Sequence, residues 1–320
     1  MKPASVKVIT NPFAGRGEAI LGVLHSALGK SGIEWDVTFT HGPGDAREQA
    51  RLAAEAGWEV VAACGGDGTV MEVASGILGT HTSMAILPVG TGNVTATELG
   101  LPLSLAEAAR VISDGTARIR RIDMGRAGDH TFMLRMGVGF EAVLKARTSP
   151  ELKQSLGAFA YVLSGLGTLF APQMSQYTID IDGTSYTRDG VACIVANSGQ
   201  TGIAGISLAQ GIDVSDGLLD VIVVSETTLP MLWDSAAAVA AGDEPLEHWS
   251  GRAITIHSLP TREVTCDGED AGFTPIDVHV IESAIGVLVG PEIATESVSS
   301  ATTAAETTSD DPAAEQTRPA

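Results

Sequence analysis

One glycine-rich stretch, residues 62–77, constrains the fold more than any other part of the chain. An apolar run at 60–64 has the length of a buried strand, and Gly65, Gly66 and Gly68 follow it directly. Apolar side chains then recur at helical spacing, at Val70, Val73, Ala74 and Ile77. The order of strand, glycine turn and helix is typical of an α/β unit with the turn at one edge of a sheet.

The same turn is suited to binding phosphate. Backbone N–H groups at a helix N-terminus lack intrahelical partners, and the helix dipole favours negative charge there. Asp67 adds a carboxylate that a nucleotide hydroxyl or a metal ion could use. The alternative is an ordinary tight turn with Asp67 and Gly68 at its tip. A hairpin needs strand-like alternation on both sides, whereas the downstream side is helical, so the pattern favours a nucleotide loop.

Strands alternate with helices through the first 122 residues. The periodicity predicts strands at 6–9, 35–40, 60–64, 84–89 and 118–122, and helices at 20–28, 45–56, 70–77 and 104–114. Ser104 and Glu107 form a capping-box pattern at the start of the last helix. Alternation at this spacing implies a parallel sheet covered by helices on both faces.

The loops after these strands are the candidate binding edge. In open parallel sheets the ligand lies beyond the carboxyl ends of the strands. Asn11, Thr40 and the segments 65–69 and 90–93 each follow a predicted strand. We therefore expect these four segments to converge on one edge of the sheet.

After Asp123 short strand-like runs dominate the chain. They are predicted at 132–138, 177–181, 191–196, 218–224, 253–257, 263–266, 278–281 and 285–289. Asp182 and Gly183 lie between two alternating runs and predict a hairpin, and one helix is predicted at 229–241. This half reads as a mostly antiparallel β domain, and from Ile293 onward the composition predicts a disordered tail.

Charge and composition exclude some classes of function. The net charge of −20 argues against nucleic acid as a main partner and against attraction of the whole molecule to anionic lipid. It does not argue against a local basic patch that binds such lipid. The 3 cysteines are scattered without metal-ligand spacing, which favours a reducing compartment. The N-terminus runs straight into a strand, with no signal peptide visible.

The longest uncharged run, 154–179, contains glycines, a proline and two glutamines and is not predicted to span a membrane. Helical periodicity at 152–170 favours a core helix of the second half. A second interpretation places part of it near a lipid surface or an apolar substrate cleft. Three cations precede or begin it and could face lipid headgroups or solvent: Lys145, Arg147 and Lys153.

Three loops in this order resemble the diacylglycerol kinase catalytic-domain family, which includes bacterial soluble lipid kinases and the sphingosine kinases. The loops are Asn11-Pro12 with Gly15-Arg16-Gly17, Gly65-Gly66-Asp67-Gly68-Thr69, and Gly90-Thr91-Gly92-Asn93. Further motifs in the second half support it: Gly137-Val138-Gly139-Phe140-Glu141, Ala196-Asn197, Asp216-Gly217-Leu218-Leu219-Asp220 and Asp267-Gly268-Glu269. The resemblance extends to about Pro291. It implies an N-terminal three-layer α/β domain at 1–123, a β-sandwich domain completing the cleft at 124–291, and an acidic tail at 292–320.

The resemblance also implies roles for individual residues. Asp267 would be the base that accepts the proton of the substrate hydroxyl, and Glu269 would help to position Mg²⁺ or nucleotide. Asp216, with Asp213 and the carbonyl of Leu218, would hold a structural Mg²⁺. The residues that would contact ATP are Asn11, Pro12, Thr40, Gly65, Gly66, Asp67, Gly68, Thr69, Thr91 and Asn93.

These expectations amount to an ATP-dependent lipid kinase that is cytoplasmic and peripheral to the inner face of the membrane. A homodimer is an open alternative to a monomer. Two residues depart from the family pattern: Val94 follows Asn93 where some members carry Asp, and Ala14 stands where Ser is frequent. The rival functions are a kinase for a soluble acceptor such as NAD and a nucleotide-binding regulatory protein without turnover.

Overall fold

The computed structural model describes residues 1–14, 19–139, 173–200, 208–209, 211–225 and 248–291, and these form two β-sheets with five helices packed on the first. The helices of this described part are α1 (Ile20–Leu28), α2 (Asp45–Glu55), α3 (Asp67–Ile77), α4 (Val94–Glu98) and α5 (Leu105–Ser113). The strands of the first sheet are β1 (Ser5–Thr10), β2 (Glu34–Phe39), β3 (Val60–Gly65), β4 (Ser83–Pro88), β5 (Arg118–Ala127), β6 (His130–Phe132), β8 (Ser175–Ile181), β9 (Thr184–Gly190), β13 (Ala253–Leu259) and β16 (Ile276–Val289). Those of the second are β7 (Arg135–Val138), β10 (Ala192–Ala196), β11 (Leu219–Val224), β12 (His248–Gly251), β14 (Glu263–Cys266) and β15 (Glu269–Phe273).

The N-terminal part of the first sheet is parallel and lies between two helical layers. Its strands run in the order β2-β1-β3-β4, and successive residues of β3 and β4 face opposite sides. Helices α2 and α3 pack on one side around Val61 and Ala63, whereas α1 and α5 pack on the other around Ala62 and Cys64. Both faces of these strands are therefore buried, which explains their continuous apolar sequence.

The first sheet then continues into antiparallel strands. β16 lies beside β4, pairs along most of its length with β5, and leads to β13, β8 and β9. The second sheet, β12-β11-β10-β7-β14-β15, is antiparallel throughout. Apolar side chains from both sheets fill the space between them, with Phe132, Met136 and Tyr177 among the largest. This packing is a β-sandwich, so the predicted fold class is confirmed.

The structure corrects several predicted boundaries. The strand predicted at 118–122 continues to Ala127, and the run 132–138 divides into the end of β6 and β7. The two runs at 278–281 and 285–289 belong to one strand, β16, with a bulge between Ile281 and Ile285. The short helix α4 was not predicted. The capping box is wrong in detail, because Ser104 is the N-cap residue of α5 but its side chain makes no capping hydrogen bond.

The predicted hairpin at Asp182-Gly183 is confirmed, with positive φ at both residues between β8 and β9. Several predictions lie outside the described residues: the helices at 152–170 and 229–241, the cations at 145, 147 and 153, the glycines at 15 and 17, and the tail. Within the described ranges, no helix combines the length and apolar character needed to cross a membrane.

Candidate functional site

The glycine turn between β3 and α3 combines one crowded position and one open position. A Cβ built on Gly65 would lie 2.4 Å from the side chain of Thr69, so close packing requires glycine there. A Cβ built on Gly68, one residue into α3, would meet nothing within 4 Å. Gly66, the N-cap residue, has no side chain to cap the helix. The N-terminus of α3 therefore presents its backbone to open space, as a phosphate site requires.

The predicted loops converge at this edge of the sheet. The N–H of Asn11 donates to the carbonyl of Cys64 (3.0 Å), and the N–H of Thr40 donates to the carbonyl of Thr10 (2.9 Å). Gly90 packs against Gly66 so closely that a Cβ on Gly90 would lie 2.5 Å from the Gly66 Cα. The structure thus brings together the ends of all four parallel strands.

Two of the predicted nucleotide contacts brace this edge with their side chains. Asn93 adopts a left-handed backbone (φ 50°), and its amide both accepts from the N–H of Gly90 (3.1 Å) and donates to the carbonyl of Gly90 (2.9 Å). Asp67 Oδ1 accepts from the N–H (3.0 Å) and hydroxyl (3.2 Å) of Thr95. These bonds fix loop 90–93 and α4 against the start of α3.

The other predicted ATP contacts differ in accessibility. Thr40 and Thr69 are buried, Asn11 is half-buried, and its Oδ1 accepts from the N–H of Phe13 (2.9 Å). Pro12, Gly68 and Thr91 are exposed. The exposed residues are accessible to a ligand, whereas the buried ones pack beneath the surface of this edge. Contact of any of them with ATP stays a prediction.

Asp267 is held rigidly in the turn between β14 and β15. It has positive φ (47°), as does Gly268 (94°). Its carboxylate accepts three backbone N–H groups, from Met133 (2.7 Å), Leu134 (3.1 Å) and Arg135 (2.8 Å). Both carboxylate oxygens are therefore oriented by backbone donors, and the residue is half-buried. Such a carboxylate is preorganised and still has lone pairs available for a further proton or ligand.

The environment of Asp267 raises its pKa to about 6. The main cause is desolvation of the carboxylate by the dense packing around it, which the three N–H donors and the charge of Arg135 oppose. Glu269, two residues later, begins β15 opposite Cys266 and is exposed.

The acidic loop 213–218 carries the predicted Mg²⁺ residues. Asp216 Oδ1 accepts from the N–H of Leu218 (2.9 Å), and Asp213 accepts from Arg120 (2.8 Å) and the N–H of Ser215 (3.0 Å). Partial desolvation raises the pKa of Asp216, and the neighbouring Asp220, Asp213 and Asp123 carboxylates add to that rise. In the part of the chain that the structure describes, no three His, Cys, Asp or Glu side chains are grouped to bind a metal ion.

Sequence reasoning missed the residue that anchors this loop, Asp123. It is 2% exposed, and its carboxylate accepts from the N–H groups of Gly217 (2.7 Å) and Ser283 (2.6 Å). Its N–H donates to the carbonyl of Val214 (2.7 Å), and its carbonyl accepts from the amide of Asn197 (3.0 Å). No local pattern marks Asp123, because its partners are distant in sequence.

Asn197 connects this anchor to the segment that holds Asp267. Its Nδ2 donates also to the carbonyl of Met133 (2.8 Å), whose own N–H bonds Asp267. The motif Ala196-Asn197 is visible in the sequence, but the link that Asn197 makes between the two segments is not. Asp267 and the acidic loop thus share one buried hydrogen-bond network.

Comparison with known proteins agrees with this architecture. The family description "Diacylglycerol kinase catalytic domain" matches residues 5–127, and "YegS C-terminal NAD kinase beta sandwich-like domain" matches residues 135–289. A Pseudomonas putida protein named "Probable lipid kinase YegS-like" is 36% identical over 206 residues, covering 63% of this chain and 68% of the relative. The chain belongs to the diacylglycerol kinase catalytic-domain family.

Other members of this kinase family align over most of the chain. A diacylglycerol kinase of Staphylococcus saprophyticus is 28% identical over 301 residues, covering 91% of this chain and 97% of the relative. The crystal structure of a diacylglycerol kinase from Bacillus anthracis strain Sterne superposes with a TM-score of 0.76 at 28% identity, covering 91% and 98% of the two chains. The resemblance inferred from the three loops is therefore confirmed at the level of the family.

Proposed function

We propose that the protein is an ATP-dependent lipid kinase that phosphorylates a hydroxyl of diacylglycerol or a related lipid. The observation that carries the proposal is the pairing of two features in a member of this family. One is the open glycine edge at the start of α3, where Gly68 faces free space. The other is Asp267, a carboxylate fixed by three backbone donors and connected to the rest of the site by buried hydrogen bonds.

The proposed reaction assigns separate tasks to these features. The N-terminus of α3 and loop 90–93 would hold the phosphates of ATP through backbone N–H groups. The lipid hydroxyl oxygen would attack the γ-phosphorus while the bond to the β-phosphate bridging oxygen breaks and ADP departs. Asp267 would accept the hydroxyl proton as the new P–O bond forms. Glu269, exposed at the start of β15, would help to position the nucleotide.

The acidic loop fits a structural Mg²⁺. Its donors are oxygens, which Mg²⁺ prefers. Desolvation and then the neighbouring carboxylates raise the pKa of Asp216, and a divalent cation bound there would offset the repulsion between these carboxylates. Arg120 already balances part of the charge of Asp213. We therefore propose Asp216, with Asp213 and the carbonyl of Leu218, as the ligands. Mg²⁺ bound there would neutralise the loop and stiffen it.

Adding MgCl₂ is expected to raise the thermal unfolding midpoint of the wild-type protein by at least about 2 °C, because a ligand that binds only the folded state stabilises it. The Asp216→Asn variant is expected to lose most of this shift. Asp189→Asn, an exposed carboxylate on β9, is the matched control. Equal shifts for all three proteins, measured by differential scanning fluorimetry, would remove Asp216 as a ligand.

Two rival functions differ from this proposal, one in its acceptor and the other in having no turnover. A kinase of a soluble acceptor such as NAD would need the same nucleotide edge. A regulatory protein that binds ATP without turnover would have no need of the base, so retention of Asp67, Asp267 and Glu269 counts against it. Contact with the inner face of the membrane belongs to the proposal because the acceptor is a lipid, and homodimerisation stays a prediction.

The test is ATP consumption by the purified protein with Mg²⁺ and detergent-dispersed lipids. The lipids are diacylglycerol, monoacylglycerol, ceramide, sphingosine, phosphatidylglycerol and undecaprenol, and NAD is the soluble control. We expect turnover on at least one lipid and none on NAD. Turnover on NAD alone would refute the lipid acceptor, and tight ATP binding without turnover on any compound would favour the regulatory rival.

A further inference from the structure

Arg135 lies next to Asp267 at the edge where β7 and β14 pair. Its N–H donates to Asp267 Oδ1 (2.8 Å), and its carbonyl accepts from the N–H of Asp267 (2.9 Å). The two residues therefore keep a fixed relation through one bond between their backbones and one from the Arg135 backbone to the Asp267 carboxylate. Neither the resemblance nor the family comparison gave Arg135 a role.

The side chain of Arg135 points away from the sandwich core. Met136, the next residue of β7, is buried between the two sheets, and neighbouring residues of a strand face opposite sides. Arg135 is half-buried, and its Nη2 donates to the carbonyl of Gln200 (2.7 Å). Its guanidinium thus lies on the outer side of the second sheet.

This outer side meets the short helix that follows the glycine loop at 90–93. Glu98, the last residue of α4, accepts from the N–H of Gln200 (3.1 Å) and from the hydroxyl of Ser198. The carbonyl of Gln200 then bonds Arg135. A continuous path of contacts leads from the nucleotide loop through α4 and Glu98 to Gln200 and Arg135, so the side chain of Arg135 is linked to the C-terminal end of α4 while its backbone bonds Asp267.

The side chains predicted for the proposed site carry an excess of negative charge, which a cation would offset. They include five carboxylates and no cation; the carboxylates are Asp67, Asp213, Asp216, Asp267 and Glu269. The transferred phosphoryl group spreads negative charge over its oxygens, and kinases stabilise that charge with cations. A guanidinium suits this task because its planar donor fork matches phosphate oxygens and stays protonated.

We propose that Arg135 binds the γ-phosphate of ATP through its guanidinium and holds it beside Asp267. The inference rests on the proposed function. The positive charge of Arg135 also acts to lower the pKa of Asp267, so the guanidinium influences this carboxylate electrostatically. The competing interpretation is that Arg135 only braces the carbonyl of Gln200.

Calorimetric affinities for ATP and ADP separate these interpretations, because only ATP carries the γ-phosphate. Arg135→Met is expected to weaken ATP binding at least about tenfold while ADP binding changes less than twofold. Arg135→Lys, which keeps a charge without the fork, should give an intermediate ATP affinity. Arg110→Met is the matched control, an exposed arginine in the last turn of α5 and hence toward the opposite edge of the sheet.

Unchanged ATP affinity in Arg135→Met, or equal losses for ATP and ADP, would overturn the inference. A loss of ATP affinity with a normal unfolding midpoint would rule out the bracing role as the cause. The measurement needs no lipid, so it stays informative if no acceptor turns over. Absence of ATP binding by the wild-type protein would instead defeat the proposed function together with this assignment.

Discussion

Replacing Asp267 with Asn is expected to lower the turnover number on the lipid acceptor by at least about 10³-fold. A positioned base contributes roughly 10²–10⁴-fold to proton transfer, and asparagine cannot accept the hydroxyl proton. The substitution also alters the turn itself. Both carboxylate oxygens of Asp267 accept backbone N–H groups. In the asparagine variant, the N–H on one side would face the amide NH₂ and lose its acceptor.

The control for this effect lies in the same hairpin. Asp270 is exposed on β15 and its carboxylate accepts from the N–H of Gly272 (3.0 Å), so Asp270→Asn makes the same chemical change away from the turn. We expect near wild-type turnover for Asp270→Asn. ATP affinity and the unfolding midpoint of Asp267→Asn show whether the variant is folded. A folded Asp267→Asn protein with wild-type turnover would remove Asp267 as the base.

The raised pKa of Asp267 gives the same assignment a pH signature. A base must be ionised, and burial shifts the pKa of Asp267 from the ordinary value for aspartate to about 6. The value of kcat/KM should therefore decline as the pH falls through about 6, whereas a base with the ordinary pKa of aspartate would hold it down to about pH 4. A decline of kcat/KM only near pH 4 would show that another group is the base.

The nucleotide edge could be predicted from sequence because its determinants are local. Continuous apolar runs mark strands buried on both faces, and helical spacing after Gly68 separates a strand–turn–helix unit from a hairpin. The edge itself then follows from the geometry of parallel sheets, which places loops after successive strands side by side. The contacts of Gly90 with Gly66 and of Asn11 with Cys64 meet that expectation.

The other half of the site depends on contacts that no local pattern encodes. Asp123, Asn197 and Arg135 acquire their positions from partners more than 60 residues away in the sequence. β16 looked like two strands because its bulge at Ser283 interrupts the apolar pattern, yet that bulge supplies an N–H to Asp123. A turn signal at Asp267-Gly268 is visible in the sequence. The three N–H groups that orient its carboxylate come from residues 132 to 134 positions earlier.

Substituting Gly68 by Ala is expected to weaken ATP binding at least about tenfold without destabilising the protein. An added methyl would meet nothing within 4 Å, so the fold has room for it. Alanine also favours helix over glycine by up to about 1 kcal/mol, so the unfolding midpoint should stay level or rise. The methyl would occupy the space in front of the α3 N-terminus, where a phosphate approaches the backbone N–H groups.

Gly90→Ala provides the contrast that separates a binding glycine from a packing glycine. Its Cβ would lie 2.5 Å from the Gly66 Cα, a backbone atom that cannot turn aside, so loops 65–69 and 90–93 would be forced apart. We expect a loss of about 1–3 kcal/mol in the free energy of unfolding, measured by urea denaturation. Isothermal titration with ATP and urea melts of both variants test the pair. Wild-type ATP affinity in a stable Gly68→Ala protein would mean that phosphate does not bind at the start of α3, and the open position at Gly68 would then need another explanation.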